Sequence, residues 1–316
     1  MSKANAPGSP LSPGARTWRR QMDYLRAVPW KRALATRTNA ILRKALGHEL
    51  RRVEAPAQRR RTRLQPAALS TPEERLVKAP VFIMSSIRSG STLLRVILGS
   101  HSQLHAPHEL HLSGISVRLR SHNVHNAMAV IGLDERALEH LLWDRLLARQ
   151  LRLSAKSVLV NKTPSDAFMW RRIARCWPDA RFIFLLRHPL SIAQSRQATN
   201  PGQPLDVHIA KTLRFMNAVD EARRSLPGLT VRYEDLTADP EAVTREICAF
   251  LGVPWEPGML DYGSRTDDAF HKGLGDWTER IRSGQVQAAR SLPPPEQVPD
   301  ALKELCRAWG YLPNPD

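Results

Sequence analysis

The chain has 316 residues and a formal net charge of +17, and that charge is unevenly distributed. Residues 1–79 hold 18 lysines and arginines against 5 acidic residues, whereas residues 80–316 hold 29 against 25. This length accommodates one large α/β domain with an appendage. The near-neutral composition of residues 80–316 argues against a protein that binds nucleic acid over its whole surface.

The cysteines and the apolar runs indicate the compartment. Cys176, Cys248 and Cys306 are far apart and form no C-x-x-C pair, which is typical of a reducing cytosol. No apolar run approaches the length of a membrane span, and the first residues lack the apolar centre of a secretory signal. The arginine-rich start has the composition of an organellar transit peptide but continues far beyond the usual length. We therefore expect a cytoplasmic protein.

Residues 1–79 are predicted to form a basic extension that is partly disordered and partly helical. Met1–Arg16 is rich in Pro, Gly, Ser and Ala, and Thr17–Val53 has helical apolar spacing among many arginines. One hypothesis is a solvated arm that packs an apolar stripe on the domain. The other is docking onto an acidic partner, such as a carrier domain or an anionic membrane surface. Nucleic-acid binding through this extension would be weak, salt-sensitive and indifferent to sequence.

The first element of the domain is a strand, loop and helix that together predict an anion site. Val81–Met84 is an apolar run of strand length, and apolar residues recur at helical spacing after Thr92. Free backbone N–H groups and the helix dipole meet at such a helix start. The candidate phosphate ligands are Arg88, Ser89, Gly90, Ser91 and Thr92. The alternative is an ordinary strand, turn and helix without a ligand.

This loop differs from the nucleotide-triphosphatase motif G-x-x-x-x-G-K-[ST]. Ser85 stands in place of the first glycine, and the cation Arg88 precedes the second glycine instead of following it. A phosphate-loop kinase or NTPase would also need a strand-end aspartate for Mg²⁺. The clearest predicted strand is followed by Arg187 instead. A kinase or NTPase is therefore the weaker enzymatic alternative.

Four histidines follow the first helix, at His101, His105, His108 and His111. They lack the H-E-x-x-H spacing and a proline interrupts them, so we predict no metal site there. Glu109 lies among them and is a candidate general base, because a carboxylate just beyond the anion helix could accept a proton. The alternative for Glu109 is an exposed loop charge.

A long helix is predicted over Asp134–Gln150. Its leucines recur at helical spacing and are expected to form the face that packs on the core. The leucines of this predicted core face are Leu138, Leu141, Leu142, Leu146 and Leu147.

Ser157–Val160 is a second candidate strand, and Asn161 and Lys162 follow it directly. Ligands of α/β folds bind at the carboxyl ends of parallel strands, so Lys162 is placed to contact one. The alternative is a surface lysine, which is the commoner environment for this residue type.

Arg181–Leu186 is the clearest buried strand, with an uninterrupted apolar run after its first residue. Such strands alternating with helices predict a parallel sheet covered on both faces, that is, an α/β domain. Arg187 follows the strand, Pro189 suits the first position of a helix, and Ser195 lies about two turns into it. An arginine at a strand end and a serine on the next helix can hold one phosphate from two sides.

Taken together, four segments resemble the sulfotransferases that use 3′-phosphoadenosine 5′-phosphosulfate, over residues 80–312. Arg88–Leu94 is similar to the family's 5′-phosphosulfate loop, and Arg187–Ser195 resembles its 3′-phosphate motif. Tyr233–Leu236 is similar to the strand-end signature whose tyrosine lies near the adenosine, and Phe270–Trp277 resembles the late loop that closes over the nucleotide. The resemblance implies a fold like that of the P-loop NTPases, with a central parallel sheet flanked by helices. It also implies 3′-phosphoadenosine 5′-phosphosulfate as co-substrate and no metal.

The resemblance further implies roles for single residues. A glutamate at this distance after the loop is the base in related protein-tyrosine sulfotransferases, and Glu109 matches it. Lys162 matches their asparagine–lysine pair and, with Arg88, would stabilise the transferring sulfuryl group and the departing phosphate. The expected ligands of the 5′ end are Ser89, Gly90, Ser91 and Thr92, those of the 3′-phosphate are Arg187, Ser195, Lys272 and Gly273, and Tyr233 is expected on the adenine side.

The sequence departs from the cytosolic small-molecule sulfotransferases at two positions. Arg88 replaces their loop lysine, and His271 replaces the arginine before their lysine–glycine pair, so His271 is either a weaker phosphate contact or an alternative base. The most similar subgroup is bacterial, with members that sulfate carrier-bound or natural-product hydroxyls in secondary metabolism. The apolar content of residues 110–150 and 263–290 favours an apolar acceptor, with a glycan or a peptide as alternatives. The oligomeric state cannot be derived from these features.

Overall fold

The computed structural model describes residues 75–264, 281, 283–288 and 290–314. These residues belong to one compact unit, Arg63–Asp316. The first 74 residues of the predicted basic extension and the whole of Phe270–Trp277 lie outside the described residues.

The described elements alternate between strands and helices, as the sequence predicts. The strands are β1 (Val81–Ser85), β2 (Leu104–His105), β3 (Val158–Asn161), β4 (Arg181–Leu186) and β5 (Leu229–Arg232). The α-helices are α1 (Ser91–Gly99), α2 (His122–Val130), α3 (Glu135–Ser154), α4 (Trp170–Cys176), α5 (Pro189–Thr199), α6 (Leu205–Ser225), α7 (Tyr233–Ala238), α8 (Pro240–Leu251) and α9 (Asp300–Ala308). Short 3₁₀ helices cover Leu112–Gly114, Pro164–Met169, Pro257–Met259, Tyr262–Ser264 and Pro295–Gln297.

The five strands form one parallel sheet in the order β2-β3-β1-β4-β5. In its register Phe82 lies opposite Phe182, and Val81 lies opposite Val160 on the other side. Because all strands run the same way, the segments that follow β1, β3, β4 and β5 emerge at one edge of the sheet. The predicted α/β fold with a central parallel sheet is confirmed.

Both faces of the sheet are covered, which explains the uninterrupted apolar strands. On one face, Ile83 and Ile183 pack with α1 and α8. On the other face, Phe82 packs against Trp177 with ring centroids 5.4 Å apart, in a cluster that includes Trp143 of α3. Neighbouring residues of a strand point to opposite faces, so a strand buried on both faces is apolar at every position.

Helix α3 packs through a different face from the one predicted from its leucines. The buried positions include Ala137, His140, Trp143 and Leu147, while Leu141 and Leu142 are 40% and 44% exposed. The leucine prediction is therefore wrong for Leu141 and Leu142. The aromatic ring of Trp143 buries more area than a leucine does, and it directs the opposite arc of the helix to the sheet.

The three cysteines are free and buried. Burial raises the pKa of the Cys176 thiol to about 12, which keeps it protonated. Among the described residues, no helix combines the length and the apolar character that crossing a membrane requires.

Candidate active site

The loop after β1 is shaped by two residues with positive φ. Arg88 has φ 65° and Gly90 has φ 89°, and Ser89 Oγ donates a 2.7 Å hydrogen bond to the Ser86 carbonyl. Gly90 is the N-cap of α1, and no described side chain caps that end. The start of a helix offers an anion both its backbone N–H groups and the positive end of the helix dipole.

Tyr233, the first residue of α7, packs directly on this loop. A Cβ added at Gly90 would lie 2.5 Å from Tyr233 Cε2 and closer still to Cδ2. The Arg187 guanidinium lies over the Tyr233 ring, 4.5 Å from the ring centroid. Glycine is therefore required at position 90 for space as well as for its backbone conformation.

Arg88, Arg187 and Ser195 meet beside the loop although they come from three separate elements. Arg187 Nη1 donates a 2.9 Å hydrogen bond to the Arg88 carbonyl, and Arg88 Nε lies 3.3 Å from Ser195 Oγ. All three residues line a cavity of about 270 Å³. Arg187 and Ser195 thus line the same cavity, and their joint role as phosphate ligands stays a prediction.

The cavity contains a third guanidinium that the sequence analysis did not identify. Arg290 lines it together with Gln194, Thr199 and Gln285. Arg290 follows the segment that resembles the nucleotide-closing loop, and an isolated arginine there gives no motif to recognise. The other described residues that line the cavity are Gly90, Leu93, Ser191, Ala198, Tyr233, Glu234, Tyr262, Ile281, Gln287 and Ser291.

Cationic groups converge on Arg187. Burial lowers the pKa of the Arg187 guanidinium, Tyr233 and Glu234 counter this effect, and the positive charges of Arg88 and Arg290 lower the pKa further. Arg187 Nε is buried and has no hydrogen-bond partner among the described residues. An anion in the cavity would relieve the repulsion among the three cations.

Glu234 fixes the backbone next to Arg187 through hydrogen bonds. Its Oε1 accepts a 3.1 Å hydrogen bond from the backbone N–H of His188, and its Oε2 accepts a 2.6 Å hydrogen bond from the Tyr311 hydroxyl. The carboxylate therefore connects the end of β4 to the segment after α9. Burial raises the pKa of Tyr311, and the negative charge of Glu234 raises it further.

A buried ion pair lies at the end of β3. Lys162 Nζ is 2.5 Å from Glu109 Oε1 and 3.3 Å from the Thr92 hydroxyl in the first turn of α1. The Lys162 side chain is 1% exposed and that of Glu109 is 13% exposed. His111 Nε2 lies 3.5 Å from the other carboxylate oxygen of Glu109. The structure thus brings together the predicted base, the predicted lysine and one predicted ligand of the loop.

A second carboxylate lies near this pair and was missed by the sequence analysis. Asp166 is 1% exposed, and its Oδ2 accepts a 2.6 Å hydrogen bond from the side chain of Asn161. Burial raises the pKa of Asp166 to about 7, and the nearby Glu109 charge contributes to the increase. The only sequence signal was its position four residues after Lys162, which by itself indicates no function.

Three predicted site residues, His271, Lys272 and Gly273, lie outside the described residues. Two of the four histidines after α1 contact different segments: His101 Nε2 lies 2.7 Å from the Pro254 carbonyl, whereas His108 contacts the Glu109 backbone. Within residues 75–264, 281, 283–288 and 290–314, no three His, Cys, Asp or Glu side chains form a group that could hold a metal.

Comparison with known proteins agrees with this geometry. The model of the Sulfotransferase family matches residues 80–257, more than half of the chain. The chain belongs to the sulfotransferase family. The matched range includes the loop after β1, the Lys162–Glu109 pair, Arg187, Ser195 and Tyr233.

Individual relatives give the same result. Over 205 residues, 58% of its length, the chain is 30% identical to an uncharacterized protein of Aquifex aeolicus, and the match covers 27% of that protein. Over 197 residues, again 58% of the chain, it is 26% identical to a protein-tyrosine sulfotransferase of Drosophila melanogaster, of which it covers 40%. The chain thus spans less than half the length of these two curated relatives.

A solved relative supports the fold over most of the chain. The sulfotransferase domain of the Synechococcus PCC 7002 olefin synthase is 26% identical to this chain, with a TM-score of 0.54. The superposition covers 75% of this chain and 97% of that domain. The present chain therefore has the P-loop-like fold of the sulfotransferases.

Proposed function

We propose that this protein transfers a sulfuryl group from 3′-phosphoadenosine 5′-phosphosulfate to a hydroxyl of its acceptor. The observation that carries the proposal is the meeting of Arg88, Arg187 and Ser195 in one cavity beside the anion loop. The loop at the start of α1 offers one anion site, and the arginines offer a second. A nucleotide with phosphates on both its 5′ and its 3′ positions needs two such sites, whereas ATP carries a single phosphate chain.

The residues present fit this co-substrate. The loop after β1 would hold the 5′ end through Ser89, Gly90, Ser91 and Thr92. Arg187 and Ser195 would hold the 3′-phosphate, and the buried Arg187 Nε is a donor that lacks a described partner. By the family resemblance, Lys272, Gly273 and His271 would add further contacts. Tyr233 would lie on the adenine side of the same cavity.

The bound co-substrate supplies a sulfuryl group on a phosphate leaving group. Glu109 would take the proton of the acceptor hydroxyl as its oxygen forms a bond to sulfur and the sulfur–oxygen bond to the phosphate breaks. Lys162 orients Glu109 through their ion pair and lies beside Thr92 at the anion loop. From there Lys162 and Arg88 would stabilise the negative charge that develops on the leaving side. His271 is the alternative base.

The acceptor is proposed to be an apolar alcohol, either a small molecule or a group on a carrier. Support for the carrier comes from the likeness to a sulfotransferase domain of an olefin synthase. An acidic carrier domain is the partner that would match a basic chain, and we place this activity in the cytoplasm, in secondary metabolism. A peptide hydroxyl is the alternative, because relatives include protein-tyrosine sulfotransferases.

Calorimetric binding of 3′-phosphoadenosine 5′-phosphate tests the donor class. We expect this nucleotide to bind, ADP to bind at least about tenfold more weakly, and Arg187→Ala to remove the difference. Arg214→Ala, at an exposed position of α6, is the matched control and should bind as the wild type does. Preference for ATP with Mg²⁺ would contradict the proposal and indicate a phosphate-loop kinase.

A further inference from the structure

The outer face of α3 is composed of leucines and arginines. Its exposed residues between the middle and the end of the helix are Leu141, Leu142, Arg145, Arg149, Arg152 and Leu153. At about 100° per residue, these six fall within one arc of about 120° on the side opposite Trp143. Leu153 is 64% exposed. An exposed helix face is ordinarily polar, with acidic and basic residues mixed.

Acidic residues of α3 are all engaged away from this face. Glu135 accepts a hydrogen bond from the Leu119 N–H, and Glu139 forms an ion pair with Arg172. Asp144 is 3% exposed and accepts hydrogen bonds from the Trp177 indole and from the backbone N–H groups of residues 76 and 77. The acids of the helix therefore do not neutralise its exposed arginines.

Some arginines on other helices have acidic partners on the same helix. Arg224 pairs with Asp220 and Arg245 pairs with Glu241, each one turn apart. By contrast, Arg145, Arg149 and Arg152 form no ion pair with any residue that the structure describes. Like charges three and four residues apart on a helix repel each other. The row of arginines thus has an electrostatic cost in this chain that a negatively charged partner would offset.

We propose that the outer face of α3 docks an acidic helical surface of another protein. This inference goes beyond the sulfuryl transfer proposed above. Along the helix axis, Arg145 and Arg149 are about 6 Å apart, and Arg149 and Arg152 are about 4.5 Å apart. Carboxylates at positions i, i+4 and i+7 of a partner helix have the same spacing. Guanidinium groups bind carboxylates through two parallel hydrogen bonds. The leucines at both ends of the row supply the apolar contact that a stable interface also needs.

Other occupants fit this face less well. The guanidinium groups occupy the middle of the arc and the leucines its sides, so a helix lying in a membrane interface would place the charges deepest. A nucleic-acid backbone would engage the arginines but leave the flanking leucines exposed. The chain's own residues 1–79, with 18 basic against 5 acidic residues, have the same sign of charge as the face.

The test uses the full chain and a synthetic helical peptide with glutamates at positions i, i+4 and i+7. We compare the wild type with Arg145→Glu/Arg149→Glu/Arg152→Glu. The control is Arg175→Glu/Lys211→Glu/Arg214→Glu, which makes the same change of net charge at exposed positions of α4 and α6. We expect the α3 variant to bind the peptide at least about tenfold more weakly than the control does. Hydrogen exchange of the wild type should slow over Glu135–Ser154 when the peptide is present.

Several results would overturn the proposal. These are no peptide binding by the wild type, an equal loss in both variants, or protection located elsewhere. Binding of phosphatidylserine vesicles or single-stranded DNA that depends on α3, without peptide binding, would also overturn it in favour of those partners. A substitution of the same three arginines by glutamine provides a milder variant if the charge reversal does not fold. Binding of 3′-phosphoadenosine 5′-phosphate, measured in parallel, reports on the proposed function separately.

Discussion

Lys162 Nζ lies 2.5 Å from Glu109 Oε1, although 53 positions separate the two residues in the chain. Lys162 follows β3, which lies between β1 and β2, and Glu109 lies in the loop after β2, an edge strand of the sheet. Because β2 and β3 are neighbouring parallel strands, the residues that follow them lie at the same edge of the sheet, next to the first turn of α1. A lysine that is 1% exposed is rarely tolerated without a carboxylate partner, so each residue stabilises the placement of the other.

Replacement of Glu109 by glutamine should remove the base and leave a hydrogen bond from the charged Lys162 ammonium to a neutral amide oxygen. We expect kcat for sulfuryl transfer to fall by about 10²- to 10⁴-fold, because a positioned base contributes about that much. Binding of 3′-phosphoadenosine 5′-phosphate should be retained. Glu246→Gln, an exposed carboxylate of α8, is the control and should have wild-type kcat. Unchanged kcat in Glu109→Gln would instead make His271 the leading candidate for the base.

Replacement of Gly90 by alanine should damage the anion loop. The added Cβ would overlap with the Tyr233 ring, and alanine is strained at φ 89°. We expect at least tenfold weaker binding of 3′-phosphoadenosine 5′-phosphate and a loss of roughly 1–2 kcal/mol in the free energy of unfolding. Gly202→Ala is the control, because a Cβ there meets no atom within 4 Å. If Gly90→Ala and Gly202→Ala bound 3′-phosphoadenosine 5′-phosphate equally well, the Tyr233 ring would be able to move aside without weakening nucleotide binding, and the prediction would be wrong.

The two acidic residues after Tyr233 should differ in their contribution to stability. Glu234→Ala leaves the Tyr311 hydroxyl and the His188 N–H without their acceptor, which should lower the free energy of unfolding by about 1–3 kcal/mol. Asp235→Ala removes an exposed carboxylate and should change it by less than about 0.5 kcal/mol. Chemical denaturation measures both values. A similar effect of the two substitutions would mean that the Glu234 contacts contribute little to stability.

Asp166 should make the stability of the protein depend on pH. Its pKa is raised from 3.8 to about 7 by burial, so the folded state binds one more proton than the unfolded state between these values. The stability contributed by that proton is complete below pH 4 and is lost as the pH rises to about 7. Asp166→Asn removes this titration and can still accept the hydrogen bond from Asn161.

The expected result is a flatter stability profile for Asp166→Asn. Between pH 4.5 and pH 8, the free energy of unfolding of the variant should rise relative to that of the wild type by on the order of 3 kcal/mol. Urea denaturation at both pH values measures this difference. Asp144→Asn is the contrasting control. It also removes a buried carboxylate that accepts several hydrogen bonds, but the pH dependence predicted here is assigned to Asp166 alone. Parallel profiles for Asp166→Asn and the wild type would contradict the prediction.

Local patterns in the sequence were enough to predict the parallel sheet. The apolar runs of β1 and β4 and the small-residue loop after β1 each lie within a few consecutive residues. Secondary structure and a parallel arrangement depend mainly on such short-range patterns. The motifs at Arg88–Leu94 and Arg187–Ser195 indicated the family for the same reason, and the family model confirms that result. The catalytic and binding roles of single residues remain predictions.

Only the tertiary structure determined which side of α3 is buried and which distant residues meet. The helix has leucines on two faces, and the choice between them depends on how Trp143 packs with the tryptophan after α4. The contributions of Arg290 to the cavity and of Asp166 to the region of Glu109 likewise depend on chain segments far apart in sequence. A contact between such segments depends on the summed packing of the whole domain, and no local pattern encodes it.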